Sequence, residues 1–163
     1  MESKEEEYNN RFLDTDDWLE KAKDHLFSAE VLRKRIFKMT EDDPDAGNVR
    51  PLIISHFFLI GVALENSLKG FIIYSEKGDM NVAELQKFIF KKVSHNLAKY
   101  FEEYCPDIYK NNEEVIKRGE EFVKWRGKYE LPRNSEEYKN ITKLHLKDIE
   151  KVRKINETLR VKL

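Results

Sequence analysis

Leu52-Ile53-Ile54-Ser55-His56-Phe57-Phe58-Leu59-Ile60-Gly61-Val62-Ala63-Leu64-Glu65-Asn66-Ser67-Leu68-Lys69-Gly70-Phe71-Ile72-Ile73-Tyr74 is the stretch on which the fold turns. Its apolar side chains fall at nearly every helical angle instead of on one stripe. A helix that is apolar all round has to be surrounded by other elements or by lipid. His56, Glu65, Asn66, Ser67 and Lys69 interrupt the run, and a charge at a membrane centre costs about 3 kcal/mol. The expectation is therefore a buried core helix and no membrane span. Pro51 suits the first turn, where its missing N–H costs nothing, and Gly78 marks the end.

Around this hub the chain reads as amphipathic helices. Residues 1–13 are charged and polar and read as a flexible leader, with residues 14–163 forming a single domain. Asp14 and Thr15 are good N-caps, and Asp16 and Asp17 oppose the helix dipole. A first helix from about Asp16 to Met39 follows, with the stripe Trp18, Ala22, Leu26, Ala29, Leu32 and Ile36. After the hub, Asn81 caps a helix from Val82 to Lys92, and Ser94 caps one from His95 to Tyr104. Asn112 caps one from Glu113 to Lys128. A last helix runs from about Glu137 or Ile141 to Arg160, with His145 on its inward stripe. No strand is expected. The fold class is all-α, an up-and-down bundle of five or six helices around a buried central helix at about 52–75.

Composition narrows the function classes. The chain has 163 residues, 30 basic and 31 acidic. A DNA-coating protein usually carries a basic excess, so no DNA partner is expected. Cys105 is the only cysteine, so no intramolecular disulfide forms, and a reducing cytoplasm is the expected location. The first residues carry no apolar run of the secretory kind. His25 and His145 stand apart from any facing pair of ligands, so neither a metal nor another cofactor is expected.

Three segments together resemble the HEPN domain, a helical family of prokaryotic toxin–antitoxin and defence systems. Asp17-Trp18-Leu19-Glu20-Lys21-Ala22 is similar to the family's opening helix. Val62-Ala63-Leu64-Glu65-Asn66-Ser67-Leu68-Lys69-Gly70-Phe71 is similar to its core helix, with a Glu and, four residues on, a Lys. Ser94-His95-Asn96-Leu97-Ala98-Lys99-Tyr100-Phe101 is similar to its short His-Asp-Leu or His-Asn-Leu helix start. Lys128-Tyr129, before Pro132, stands where many members have Arg-Tyr-Pro. The resemblance implies a helical bundle, commonly dimeric, with RNA or a nucleotidyltransferase among the possible partners. A homodimer is also what the all-round apolarity of the central helix suggests.

Catalytic HEPN proteins carry an Arg followed, four to six residues on, by a His near the start of a late helix. Here Arg118, Arg126, Arg133, Arg153 and Arg160 have no such His, because His145 lies twelve residues after Arg133. The pair that fits the spacing is Arg50 and His56, at the start of the central helix. If they converged, His56 would take the 2′-hydroxyl proton of RNA and Arg50 would stabilise the charge developing on phosphorus. The competing reading is a core His56 and a surface Arg50.

Other candidates carry the same two-sided reading. His95, with Asn96 beside it, is either a neutral base at a helix N-terminus or a local packing group. Glu65 and Lys69 are either the polar wall of a ligand cleft or a structural ion pair at i, i+4. Trp125, Lys128 and Tyr129 form either a stacking platform for a nucleotide or part of the core. The departure from the catalytic pattern favours a non-catalytic binding or regulatory module. The alternative is a metal-independent endoribonuclease.

Overall fold

A computed structural model describes residues 3–42, 49–126 and 143–163. All regular structure among them is helical. Among the described residues seven α-helices follow one another: α1 (Lys4–Leu13), α2 (Thr15–Asp42), α3 (Val49–Glu76), α4 (Val82–Phe88), α5 (Leu97–Tyr104), α6 (Pro106–Glu121) and α7 (Asp148–Val161). Short π turns, Ile89–Val93 and Phe122–Arg126, extend α4 and α6.

α3 is the expected hub. Phe57, Ile60, Ala63, Leu64, Leu68, Ile72 and Ile73 are buried along it, and so are the polar His56, Glu65, Ser67 and Lys69. This helix is long and apolar enough to cross a membrane by length and composition, yet each of those four polar side chains finds a partner inside the bundle. α2 runs antiparallel to it. His56 lies against Ala29, and Gly70 lies against Trp18 and Thr15. α6 crosses α3 at Gly61 and Gly119. A Cβ on Gly61 would sit 2.5 Å from the Gly119 carbonyl oxygen, and one on Gly119 would sit 2.6 Å from Leu64 Cδ1. Only glycine permits that approach.

The N-terminal segment corrects one expectation. Residues 4–13 are helical instead of a flexible leader. Ser3 and Glu6 form a capping box: the Ser3 hydroxyl accepts from Glu6 N at 3.1 Å, and the Glu6 carboxylate accepts from Ser3 N at 2.7 Å. Phe12 is buried, and its carbonyl accepts from Trp18 Nε1 at 2.9 Å. Charge density masked a single buried aromatic that is enough to dock a short helix. Asp14 joins α1 to α2 and caps the latter, accepting from Asp16 N and Asp17 N.

Later boundaries move for identifiable reasons. Pro106, two residues beyond the expected helix end at Tyr104, is the first residue of α6, a position proline favours. Asn112, the expected cap, is a kink inside that helix at φ −137°. Ser94 is not the N-cap of α5 but closes the preceding π turn, its N–H donating to Ile89 O; α5 begins at Leu97, and Glu120 of α6 accepts from Ala98 N at 2.6 Å to close its first turn. His145 is exposed in the turn before α7 instead of inward on a helix. α7 is pinned by two buried polar ties. Arg118 donates to Asp148 at 2.5 and 3.2 Å, and Asn156 donates to Ser67 Oγ at 2.9 Å.

Candidate functional site

Arg50 and His56 do not form a site. Arg50 is exposed at the start of α3, whereas His56 is 0% exposed. Its Nδ1 is 2.8 Å from the Ala29 carbonyl oxygen. A carbonyl only accepts, so Nδ1 carries the proton and donates. Nε2, the nitrogen left to act as a base, is buried and has no hydrogen-bond partner among the described residues. Burial pushes the His56 pKa down, against a smaller upward pull from the Ala29 hydrogen bond. A neutral, enclosed imidazole cannot collect a proton from a polymer in solvent.

Glu65, Lys69 and His95 do converge. One turn of α3 places Glu65 and Lys69 on the same face, and Lys69 Nζ donates to Glu65 Oε1 at 2.6 Å. The second carboxylate oxygen faces His95 Nδ1 at 3.0 Å. Burial works to raise the Glu65 pKa, but Lys69 and His95 outweigh it, and the carboxyl stays below its ordinary value. The Lys69 ammonium lies over the rings of Trp18 at 5.7 Å and Phe90 at 5.5 Å, where the ring faces attract a cation. It is spent inside the protein and does not reach solvent as an anion-binding hook.

His95 holds its place through an unusual backbone. Its φ is +64°, the one positive φ among described residues other than glycine. The left-handed region costs an ordinary residue roughly 1–2 kcal/mol. The turn after the π segment imposes it: Ser94 N donates back to Ile89 O at 3.1 Å, and Asn96 N donates to Val93 O at 3.0 Å. Asn96 serves this turn, its side-chain amide donating to Lys92 O at 2.7 Å. The His95 side chain remains 48% exposed, so its outer nitrogen meets solvent while the inner one is tied to a carboxylate.

Beside this cluster lies an open groove of about 570 Å³ between α1, α2, α3 and the π turn after α4. Tyr8, Trp18, Phe90 and Asn66 line it. Phe12, Trp18 and Phe90 form one ring cluster, with centroids 5.8 to 6.4 Å apart, and Tyr8 and Phe90 remain exposed. Asp17, Glu20 and Asp24 line the groove together with Arg11 and Lys21; Asp17 pairs with Arg11 at 3.8 Å, Asp24 with Lys21 at 4.0 Å, and Glu20 with Arg160 at 2.6 Å and Lys23 at 3.4 Å. The Glu65–Lys69 pair adjoins this groove through the rings of Trp18 and Phe90. The sequence did not announce the groove, because Tyr8 and Arg11 lay in a segment read as a leader, and Phe90 lay on a helix read as regular.

Of the remaining candidates, Lys128 and Tyr129 lie outside the described residues, as does the side chain of Trp125. Cys105 is buried, and burial pushes its thiol pKa up to about 11, so it does not serve as a nucleophile. Among the described residues no His, Cys, Asp and Glu side chains gather as a metal-binding group. No family model, no curated protein and no solved structure matches this chain.

Proposed function

We propose that the chain is a HEPN-like helical bundle of the cytoplasm acting as a non-catalytic binding or regulatory module, in the setting of a toxin–antitoxin, defence or nucleotidyltransferase system. One observation carries this reading: the open, aromatic-lined groove with acids at Asp17, Glu20 and Asp24. Exposed aromatic rings supply contact area with little side-chain entropy to lose. The groove's three carboxylates, each paired with a cation, present no positive surface to RNA phosphates and leave carboxylate oxygens for cationic side chains. The groove therefore suits a basic, apolar protein segment better than a nucleic acid strand. The burial of His56 supports the same reading, because it removes the Arg and His pair that matches the catalytic spacing.

The test uses Trp18, which lines the groove, as reporter. With Trp125→Phe leaving Trp18 as the only indole, an amphipathic Lys- and Leu-rich peptide is expected to change its fluorescence saturably, and single-stranded RNA is not. Phe90→Ala and Asp17→Asn each weaken the response. An RNA response stronger than the peptide response contradicts the proposal.

A second reading, a metal-independent endoribonuclease, is favoured by the Glu65–His95 contact. A carboxylate on Nδ1 fixes the tautomer that leaves the solvent-facing nitrogen as a base. Total RNA incubated in EDTA, with His95→Ala and His56→Ala proteins alongside, decides between the two. Cleavage lost in His95→Ala would establish the enzyme and displace the binding module.

A further inference from the structure

Asn66 departs from the other asparagines of the molecule. It stands in the middle of α3, between the buried Glu65 and Ser67. Asparagine is a poor residue for a helix interior, and elsewhere a local partner offsets that. The Asn111 and Asn112 amides donate to the carbonyls of Asp107 and Ile108, one turn back. Asn96 donates to Lys92 O, and Asn156 donates to Ser67 Oγ. Asn81 caps α4, Asn9 accepts from Gln86 Nε2 at 3.0 Å, and Asn10 also has a partner. The Asn66 carboxamide alone, among the described asparagines, bonds to no described residue.

Its position narrows the reason. Asn66 is half-buried, and it is the single residue of α3 that lines the groove shared with Tyr8, Trp18 and Phe90. The charged side chains lining that groove are ion-paired within the protein; Asn66 is not. A carboxamide sets an acceptor oxygen beside an NH2 donor. Its complement is a group that shows a donor and an acceptor along one edge, and every polypeptide residue other than proline carries such a pair in its N–H and C=O. A helical partner uses those groups internally and leaves them free only at its ends. An extended strand turns them sideways, while its side chains alternate between its two faces.

We propose that the groove takes its partner as an extended strand and that Asn66 holds one residue of it by the backbone. Oδ1 accepts from that residue's N–H, and Nδ2 donates to its carbonyl. The apolar side chains on one face of the strand then lie on Trp18, Phe90 and Tyr8. This inference rests on the groove reading and adds to it the conformation of the bound segment and the residue that selects it.

Two peptides of equal Lys and Leu content test it by calorimetric titration, one with strict alternation and one with helical four-and-three spacing. The alternating peptide should bind the wild type more tightly. Asn66→Ala should weaken it by about tenfold and leave the helical peptide unchanged. Esters in place of the central amides of the alternating peptide should weaken binding to the wild type and make no difference to Asn66→Ala. The variant should unfold in urea no earlier than the wild type, because it loses no internal bond and gains a better helix former. An Asn66→Ala protein that is less stable than the wild type overturns the proposal, since it would give the side chain a structural duty. Tighter binding of the helical peptide also overturns it. If Phe90→Ala weakens the alternating peptide and Asn66→Ala does not, the strand inference falls and the groove reading stands. If neither peptide binds the wild type, both fall.

Discussion

His56 and His95 each set Nδ1 against an oxygen of a neighbouring segment, and they differ in everything that decides chemistry. His56 faces a neutral carbonyl, is fully enclosed, and keeps its other nitrogen in the interior. His95 faces a carboxylate, stands half in solvent, and is held there by a left-handed backbone. The first satisfies a spacing rule for catalysis and is sealed from substrate. The second breaks a helix expected to begin at that residue, and it is the histidine that solvent reaches. Burial and backbone conformation, which sequence spacing does not report, separate the two.

The same contrast extends to their surroundings. On the closed side, Arg118 and Asp148 are almost fully buried and tie α6 to α7. On the open side, the Glu65–Lys69 pair has His95 as a third member near the surface. Asp148→Ala leaves the Arg118 guanidinium buried without its partner and is expected to cost about 3–5 kcal/mol. Urea unfolding measures it, and joint replacement of both residues by leucine should recover much of the loss. Lys69→Met should cost less, about 2–3 kcal/mol, because His95 still holds the Glu65 carboxylate. Equal losses at the two sites would erase the distinction between closed and open.

The pH dependence of stability is the next discriminator. The His56 pKa is depressed in the folded protein, so below the ordinary value of 6.5 the unfolded chain takes up a proton that the native state refuses. Stability from this group is complete above pH 6.5 and is lost as pH falls toward the folded value, by up to about 1.4 kcal/mol per pH unit. His25, depressed by partial burial, acts in the same window. The difference between wild type and His56→Leu therefore isolates His56. Glu65 works lower: its contribution is present above 4.5 and is lost as pH falls through its lower folded value. A difference curve flat between pH 6.5 and about 5.5 would mean that His56 is open to solvent.

The smallest effect concerns His95. His95→Ala loses the hydrogen bond to Glu65 and keeps the strained φ, whereas His95→Gly loses the bond and relieves the backbone. The glycine variant should be more stable than the alanine variant by about 1 kcal/mol. Equal stabilities would show that the left-handed turn is not held under strain.

Much of the architecture was legible from residues alone. The all-round apolarity from Leu52 to Tyr74 identified the hub, and four-and-three spacing identified the buried face of α2. Asn81 marked the N-cap of α4, and the structure adds Glu84 as the second half of a capping box. The Glu65–Lys69 pair followed from helical spacing alone. What escaped depends on contacts distant in sequence. Nothing local to Arg118 announces Asp148, and nothing near Asn156 announces Ser67. Glu120 closes the first turn of α5 from another helix, so the cap sought at Ser94 was sought in the wrong segment. The π turn Ile89–Val93 hides in ordinary helical composition, yet it carries the exposed Phe90 and leads into the left-handed turn at His95. The groove needed α1 to fold back, and a single buried Phe12 in a charged segment gave little notice of that.

The histidine matching the catalytic spacing is closed, while the one at the turn is open. A proton–nitrogen correlation spectrum of the imidazole rings, followed from about pH 8 to about pH 5, addresses it directly. The structure predicts that His56 stays neutral and protonated on Nδ1 below pH 6.5, with its ring proton slow to exchange. A His56 ring that titrates at or above that pH and exchanges its proton as freely as a surface histidine would contradict the account.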